Sequence, residues 1–178
     1  NGLGRESFSD AVSRYLRKRD NPALNFRLHF LPTVGSTNVK AAELARSGGP
    51  EGTIVIADAQ TGGKGRLGRV WVSPPGVNLY LSLVLRPSLQ ISSYPQLSLV
   101  AAIAVAEAIT HVTHLEPSIK WPNDVLISGK KVCGILTEMQ TKGPSRASVV
   151  VGIGVNINGD SDSFPLEIRK RATSLKLM

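Results

Sequence analysis

Thr53-Ile-Val-Ile-Ala57, then Gly62-Gly-Lys-Gly-Arg-Leu-Gly-Arg-Val-Trp71, then Leu79-Tyr-Leu-Ser-Leu-Val-Leu85 is the stretch that decides the architecture. Two apolar runs of strand character flank a loop with four glycines and three cations, Lys64, Arg66 and Arg69. Glycine lets a backbone approach a ligand closely, and successive N–H groups in such a turn make a concavity suited to anions. Arginine adds forked contact with phosphate or carboxylate. An isolated stretch of this kind also fits a solvated basic loop; held between two strands, it reads as a ligand loop. It is not a P-loop, because Gly63 to Arg69 lacks the required Gly-Lys-Ser/Thr close. A dinucleotide fingerprint opens a helix straight after its glycines. This loop instead runs into Trp71, Val72, Ser73, Pro74, Pro75 and Gly76, which cannot begin a regular helix.

Outward from the loop, residues 7 to 19 carry an amphipathic helical pattern, with Phe8, Val12, Tyr15 and Leu16 on one face and Asn21-Pro22 ending it. Phe26 to Leu31 alternates as a strand. Ser36-Thr37-Asn38 supplies cap-type residues to a short helix through Arg46, stopped by Gly48-Gly49-Pro50. Pro95 sits near the start of the longest helical run. Leu97 to Val112 is almost uniformly apolar, which predicts a helix buried against a sheet. The second half reads as strands: 118–121, 125–127, 132–140 after the turn Ser128-Gly129-Lys130, and 148–157. The last is interrupted by Gly152 and Gly154, and glycines inside a strand mark close approach by a ligand or another backbone. No repeat and no domain boundary shows before residue 160.

The 178 residues suit one α/β domain with a core of its own, or a domain and a short extension. No apolar run approaches the roughly 20 residues that span a bilayer, so no membrane partner is expected. The single cysteine, Cys133, cannot form an internal disulfide and fits a reducing cytoplasm. Net charge is +8, which raises nucleic acid as a partner. Much of that charge lies near the ends, in Arg14, Arg17, Lys18 and Arg19, then Arg169, Lys170, Arg171 and Lys176, as solvated faces or tails do. Aromatic residues are 5% of the chain, a poor supply for stacking single strands. His29, His111 and His114 show no zinc spacing with Cys133, so no metal-ligating set is expected. The chain begins at Asn1 and ends at Met178, and reads as a piece cut at one or both ends.

The second informative segment is Lys120-Trp-Pro-Asn-Asp124, with Lys131 seven residues later. Asn123 and Asp124 after a proline fit a plain β-turn. A strand, a polar turn and a returning strand also bring Asp124 and Lys131 together across a hairpin. A lysine held by a carboxylate there can stabilise developing negative charge. Lys120 reads equally as a solvated strand lysine, and Trp121 as a core residue.

Together the two segments resemble the biotin protein ligases, specifically the catalytic domain of the bacterial enzymes. The resemblance runs from about Phe30 to Ile157, with weaker agreement through Ala172-Thr-Ser-Leu175. It rests on Ser36-Thr37-Asn38, Gln60, Gly63 to Trp71, Lys120 to Asp124, Lys131 with Gly134, and Gly152-Ile-Gly-Val-Asn156. It implies an α/β fold of the α+β type, with a mixed β-sheet and helices mainly on one face, related to class II aminoacyl-tRNA synthetases. Residues 1–25 are then an N-terminal helical extension and 26–178 the catalytic domain, without the family's small C-terminal β domain or a DNA-binding domain; no DNA is expected for this chain.

The activity implied is formation of biotinyl-5′-AMP from biotin and ATP with Mg²⁺. Transfer to a lysine of a biotin carboxyl carrier protein follows, in the cytoplasm, with a homodimer as a further option. By motif position, Ser36, Thr37, Asn38, Gln60, Gly134 and Gly152 belong to the biotin side, and Lys64, Gly65 and Arg66 to the loop over biotin and phosphate. Arg66 and Lys131 are the catalytic charges. Arg69, Trp71, Asn123, Asp124 and Asn156 lie toward the nucleotide or its metal. Lys64 stands where the family usually has arginine, keeping the charge without the fork.

The residue chemistry agrees. Adenylation drives a carboxylate onto a phosphate, and cations must screen that repulsion. A carboxylate nucleophile needs no general base, so no histidine or cysteine nucleophile is required. Two alternatives remain at this stage: a lipoate or octanoate ligase of the same fold, and a basic nucleic-acid-binding module without catalysis.

Overall fold

The computed structural model describes residues 25–140 and 147–178, together with Ala11, Val12 and Arg14. The helix expected over 7–19 lies outside the described residues apart from those three, which are helical.

Among the described residues, seven strands form one mixed sheet in the order β1-β2-β3-β7-β6-β5-β4. They are β1 (Arg27–Val34), β2 (Thr53–Gln60), β3 (Asn78–Leu85), β4 (Ser118–Lys120), β5 (Asp124–Ile127), β6 (Lys130–Gln140) and β7 (Ser148–Asn156). β1 and β2 run parallel through the crossover helix α1 (Thr37–Arg46), and every other pair is antiparallel. The mixed sheet is the one expected. Its central strands are rich in valine, isoleucine and leucine, side chains that fit a pleated surface packed on both sides.

Period-two alternation divides β7 between two cores. Val149, Val151 and Val155 join Val125, Ile135 and Cys133 beneath the long helix α2 (Leu97–Thr113). Val150, facing the other way, joins Val55, Val84 and the alanines Ala41, Ala42 and Ala45 of α1. Three alanines on one helical stripe bring α1 close to the sheet, and Arg86 holds its C-terminal end. The Arg86 Nη2 donates to Ala45 O, in the last turn of the helix, at 3.1 Å and to Gly49 O, in the loop after it, at 2.8 Å. Fully buried valines and isoleucines of this kind contribute about 1.5–3 kcal/mol each relative to exposure. The longer helix thus covers one face, and the shorter one occupies the other beside the site. Beyond Val150 the α1 face of β7 changes character: Gly152, Gly154 and Asn156 replace the valines.

Three expectations need correction. The long helix is not buried all round. Ala102 and Ile109 are buried, while Val100 is 59% and Val112 76% exposed, because one sheet surface covers only one stripe of a helix. With the 3₁₀ turn before it, Ile91–Thr113 is a 23-residue helical stretch containing an 18-residue window of mean hydropathy 1.4, long and apolar enough by those measures to cross a membrane, against the expectation of no such run. Its contacts with β4 to β7 account for it as the cover of the larger core. Trp121 is not core: it stands 78% exposed at the β4–β5 turn, before a cis Trp121–Pro122 bond.

Candidate functional site

The basic loop is an ordered flap. Trp71 N donates to Gly63 O at 2.9 Å and Gly65 N to Arg69 O at 2.7 Å, closing a small hairpin whose tip is Arg66–Gly68. Leu67 and Gly68 turn the chain there with φ of 58° and 71°. Gly62 N donates to Gly35 O at 2.7 Å, so the base of the flap is tied to the segment that leads into α1. The tip carries Leu67, 84% exposed.

Beneath the flap lies an open cleft with roughly 440 Å³ of atom-free space, part of it continuous with solvent. Its inner end is polar and uncharged: Ser36, Thr37, Asn38 and Gln60 line it, the first three buried where α1 begins against the sheet. Gln60 Oε1 accepts from Thr37 N at 2.8 Å and from the Thr37 hydroxyl at 3.1 Å, and Gln60 Nε2 donates to Ser73 Oγ at 2.8 Å. The outer end is cationic, with Lys64, Arg66 and Lys131. Lys131 Nζ lies 2.6 Å from Asp124 Oδ1 across the β5–β6 hairpin, the pairing expected from the spacing, and 5.3 Å from the centre of the Trp71 ring. Arg66 Nη1 donates to Asn123 Oδ1 at 2.9 Å, and Asn123 Nδ2 donates to Ile135 O at 2.8 Å, so the flap tip is docked on the β4–β5 turn.

The strand glycines have a specific cause. A Cβ on Gly154 would fall 2.5 Å from Trp71 Cε2 and Nε1, and one on Gly134 2.8 Å from Trp71 Cζ3. A Cβ on Gly152 would occupy the position of the Asn38 amide. These glycines therefore admit side chains of the protein itself, Trp71 and Asn38, where the sequence suggested a ligand or another backbone. Among the described residues, neither the buried Trp71 Nε1 nor Thr137 Oγ1, on the opposite side of the sheet, has a hydrogen-bond partner.

Of the residues singled out from sequence, Ser36, Thr37, Asn38, Gln60, Lys64, Gly65, Arg66, Trp71, Asn123, Lys131, Gly134 and Gly152 all line this one cleft. Asp124 joins it through Lys131. Two do not line it. Arg69 stands exposed at the foot of the flap, and the buried Asn156 donates from Nδ2 to Thr173 O at 3.0 Å, anchoring the C-terminal segment. Sequence reading missed Ser73, Ser82 and Glu138, which hold the inner residues in place. Ser82, a polar residue inside the apolar run 79–85, was the available signal. Cys133, next to this site on the opposite face, has its thiol pushed up from 9.0 to about 12, chiefly by burial.

The sequence pattern of the biotin/lipoate A/B protein ligase family matches residues 31–157. The chain is 49% identical over 148 residues to the bifunctional ligase/repressor BirA of Bacillus spizizenii, covering 83% of this chain and 46% of that protein. It is 44% identical over 140 residues to the biotin--[acetyl-CoA-carboxylase] ligase of Paracoccus denitrificans, 77% of this chain and 57% of that one. Among solved structures, the Aquifex aeolicus biotin protein ligase in complex with biotin and ATP superposes with a TM-score of 0.71 at 41% identity, covering 84% of this chain and 59% of that chain. The Leishmania major biotin protein ligase in complex with biotinyl-5-AMP gives 0.69 at 30% identity, over 85% and 64%. The chain spans about half the length of the curated relatives it matches. With 127 consecutive positions under the family pattern, and the flap, the Lys120–Asp124 turn and Lys131 gathered at one cleft, this chain belongs to the biotin/lipoate A/B protein ligase family.

Proposed function

We propose that this chain carries the site at which biotin is activated by ATP to biotinyl-5′-AMP, before transfer to a lysine of a biotin carboxyl carrier domain. The observation that carries the reading is the cleft's polarity: an uncharged hydrogen-bonding inner end and a cationic outer end under one flap. A ligand with a neutral polar ring at one end and a carboxylate at the other matches that order. The relatives crystallised with biotin, ATP or biotinyl-5-AMP add support.

In this reading Ser36, Thr37, Asn38 and Gln60 receive the ureido ring, with Gly134 and Gly152 keeping the floor of the slot low. The biotin carboxylate then lies between Arg66 and Lys131. One of its oxygens attacks the α-phosphorus of ATP, the bond to the bridging oxygen breaks, and pyrophosphate leaves. The two cations lower the repulsion between the anions and hold them at attacking distance. The Asp124 carboxylate fixes Lys131 at the near edge. In the second step the amine of the carrier lysine attacks the acyl carbon; AMP leaves and the amine loses a proton. The flap, with Lys64 and Gly65, excludes water from the mixed anhydride between the two steps. Trp71 and Asn123 border the nucleotide side; Arg69, exposed at the foot of the flap, and the buried Asn156 stand outside the cleft.

Mg²⁺ fits as a companion of the nucleotide and not as an ion in a protein cage. No group of three or more histidine, cysteine or acidic side chains stands together among the described residues, and Asp124 is paired with Lys131. When bound with ATP it neutralises phosphate charge.

Thermal-shift titration separates biotin from lipoate. Biotin raises the melting temperature in a concentration-dependent way and lipoate at equal concentration does not. A response to lipoate alone overturns the assignment in favour of the family's other branch.

A further inference from the structure

Asn38 is held by three hydrogen bonds whose directions are fixed by chemistry. Its Nδ2 faces Leu136 O at 3.3 Å and Glu138 Oε2 at 2.8 Å, and both of those oxygens only accept. A flipped amide would set Oδ1 against two acceptors, so Nδ2 must point that way. Both Nδ2 protons are then used. The Asn38 Oδ1 lies 2.6 Å from Ser82 Oγ, and because an amide oxygen only accepts, Ser82 donates to it. That uses the one proton of Ser82. The Thr37 hydroxyl, 2.9 Å from Ser82 Oγ, gives its single proton to Gln60 Oε1 at 3.1 Å.

Asn38 and Thr37 thus have their side-chain protons committed inside the protein, and turn lone pairs toward the cleft. Neither Ser82, fully buried, nor Glu138, half-buried on β6, lines the cleft. We infer that Ser82 and Glu138 are positioning residues that set the hydrogen-bonding sense of the inner end, making it select a head group that offers N–H donors. This rests on the ligase reading, in which the head group is a cyclic urea with two N–H groups. A dithiolane ring offers none, so the same network disfavours lipoate.

The test is calorimetric titration of biotin into the wild type, Ser82→Ala, Glu138→Met and Glu138→Gln, with melting temperatures and steady-state KM for biotin and for ATP. Ser82→Ala and Glu138→Met are expected to weaken biotin about tenfold, the scale of one lost hydrogen bond to an oriented group. KM for ATP stays unchanged. Dethiobiotin, which keeps the urea, weakens by the same factor. Glu138→Gln, which keeps an acceptor oxygen, recovers most of the affinity. Unchanged biotin affinity in Ser82→Ala and Glu138→Met overturns the inference while leaving the ligase reading standing. So does a parallel loss of biotin and ATP affinity with a lowered melting temperature, which marks a merely structural role. A wild type that binds no biotin removes both.

Discussion

Gly154→Ala is the sharpest perturbation the fold offers. Gly154 sits on β7 between β3 and β6, opposite Tyr80 and Gly134, so its backbone cannot retreat without breaking two ladders. The new methyl would stand 2.5 Å from Trp71 Cε2 and Nε1 and 2.8 Å from Cζ2, about 1 Å inside ordinary carbon contact. The Trp71 backbone is fixed too, through its N–H to Gly63 O at 2.9 Å and through Ser73 Oγ, which donates to Trp71 O at 2.9 Å. Only the indole can yield, by swinging out and giving up its place over Lys131. Overpacking of this kind costs about 1–3 kcal/mol, which for a chain of this size lowers the melting temperature by roughly 2–12 °C. The indole would move toward water, and tryptophan emission in a Trp121→Phe background would shift to the red. In the proposed reaction ATP affinity falls with it. Unchanged melting, emission and ATP affinity would refute the account of why β7 carries a glycine there.

Other outcomes follow from the same geometry. Arg66→Gly removes the contact to Asn123 that docks the flap tip, so biotinyl-AMP is expected to escape; chromatography of stopped reactions will find more of it free in solution than with the wild type, and full retention sinks the assigned role. Lys131→Ala is expected to slow adenylate formation about 10²- to 10³-fold, the scale for losing one preorganised group at developing charge, as read by pyrophosphate release. Cys133 is 0% exposed, and its thiol should resist alkylation at pH 8 until the protein unfolds. Burial raises this thiol from 9.0 to about 12, so in alkali the unfolded state loses its proton first. Its contribution to stability is complete below pH 9 and falls by up to about 1.4 kcal/mol per pH unit between the two values. Urea midpoints for Cys133→Ala should therefore depend less on pH over that window.

Much of the site could be read from the residues because its chemistry is local. The flap is a continuous run from Gly62 to Trp71, and Asp124 and Lys131 lie on adjacent strands of one hairpin, where spacing alone predicts the pair. The strands were legible because Val, Ile and Leu alternate or cluster between turn residues. What stayed hidden is long-range. Glu138 reaches Asn38 from 100 residues away and Ser82 from 44, and no local pattern marks such contacts. The glycines of β7 were legible as close approaches, yet what approaches them, Asn38 and Trp71, depends on the whole sheet. The exposure of Val100, Val112 and Trp121 was misread for a related reason: apolarity says that a residue tolerates burial, and the tertiary fold decides whether anything covers it.

The central claim is that one cleft activates a carboxylate with ATP. Mass spectrometry of the chain incubated with biotin, ATP and Mg²⁺ tests it most directly. The account predicts biotinyl-AMP and pyrophosphate in equal amounts, both lost when Lys131 is replaced by alanine. Biotin bound with no adenylate formed, or adenylate formed equally well without Lys131, would contradict it.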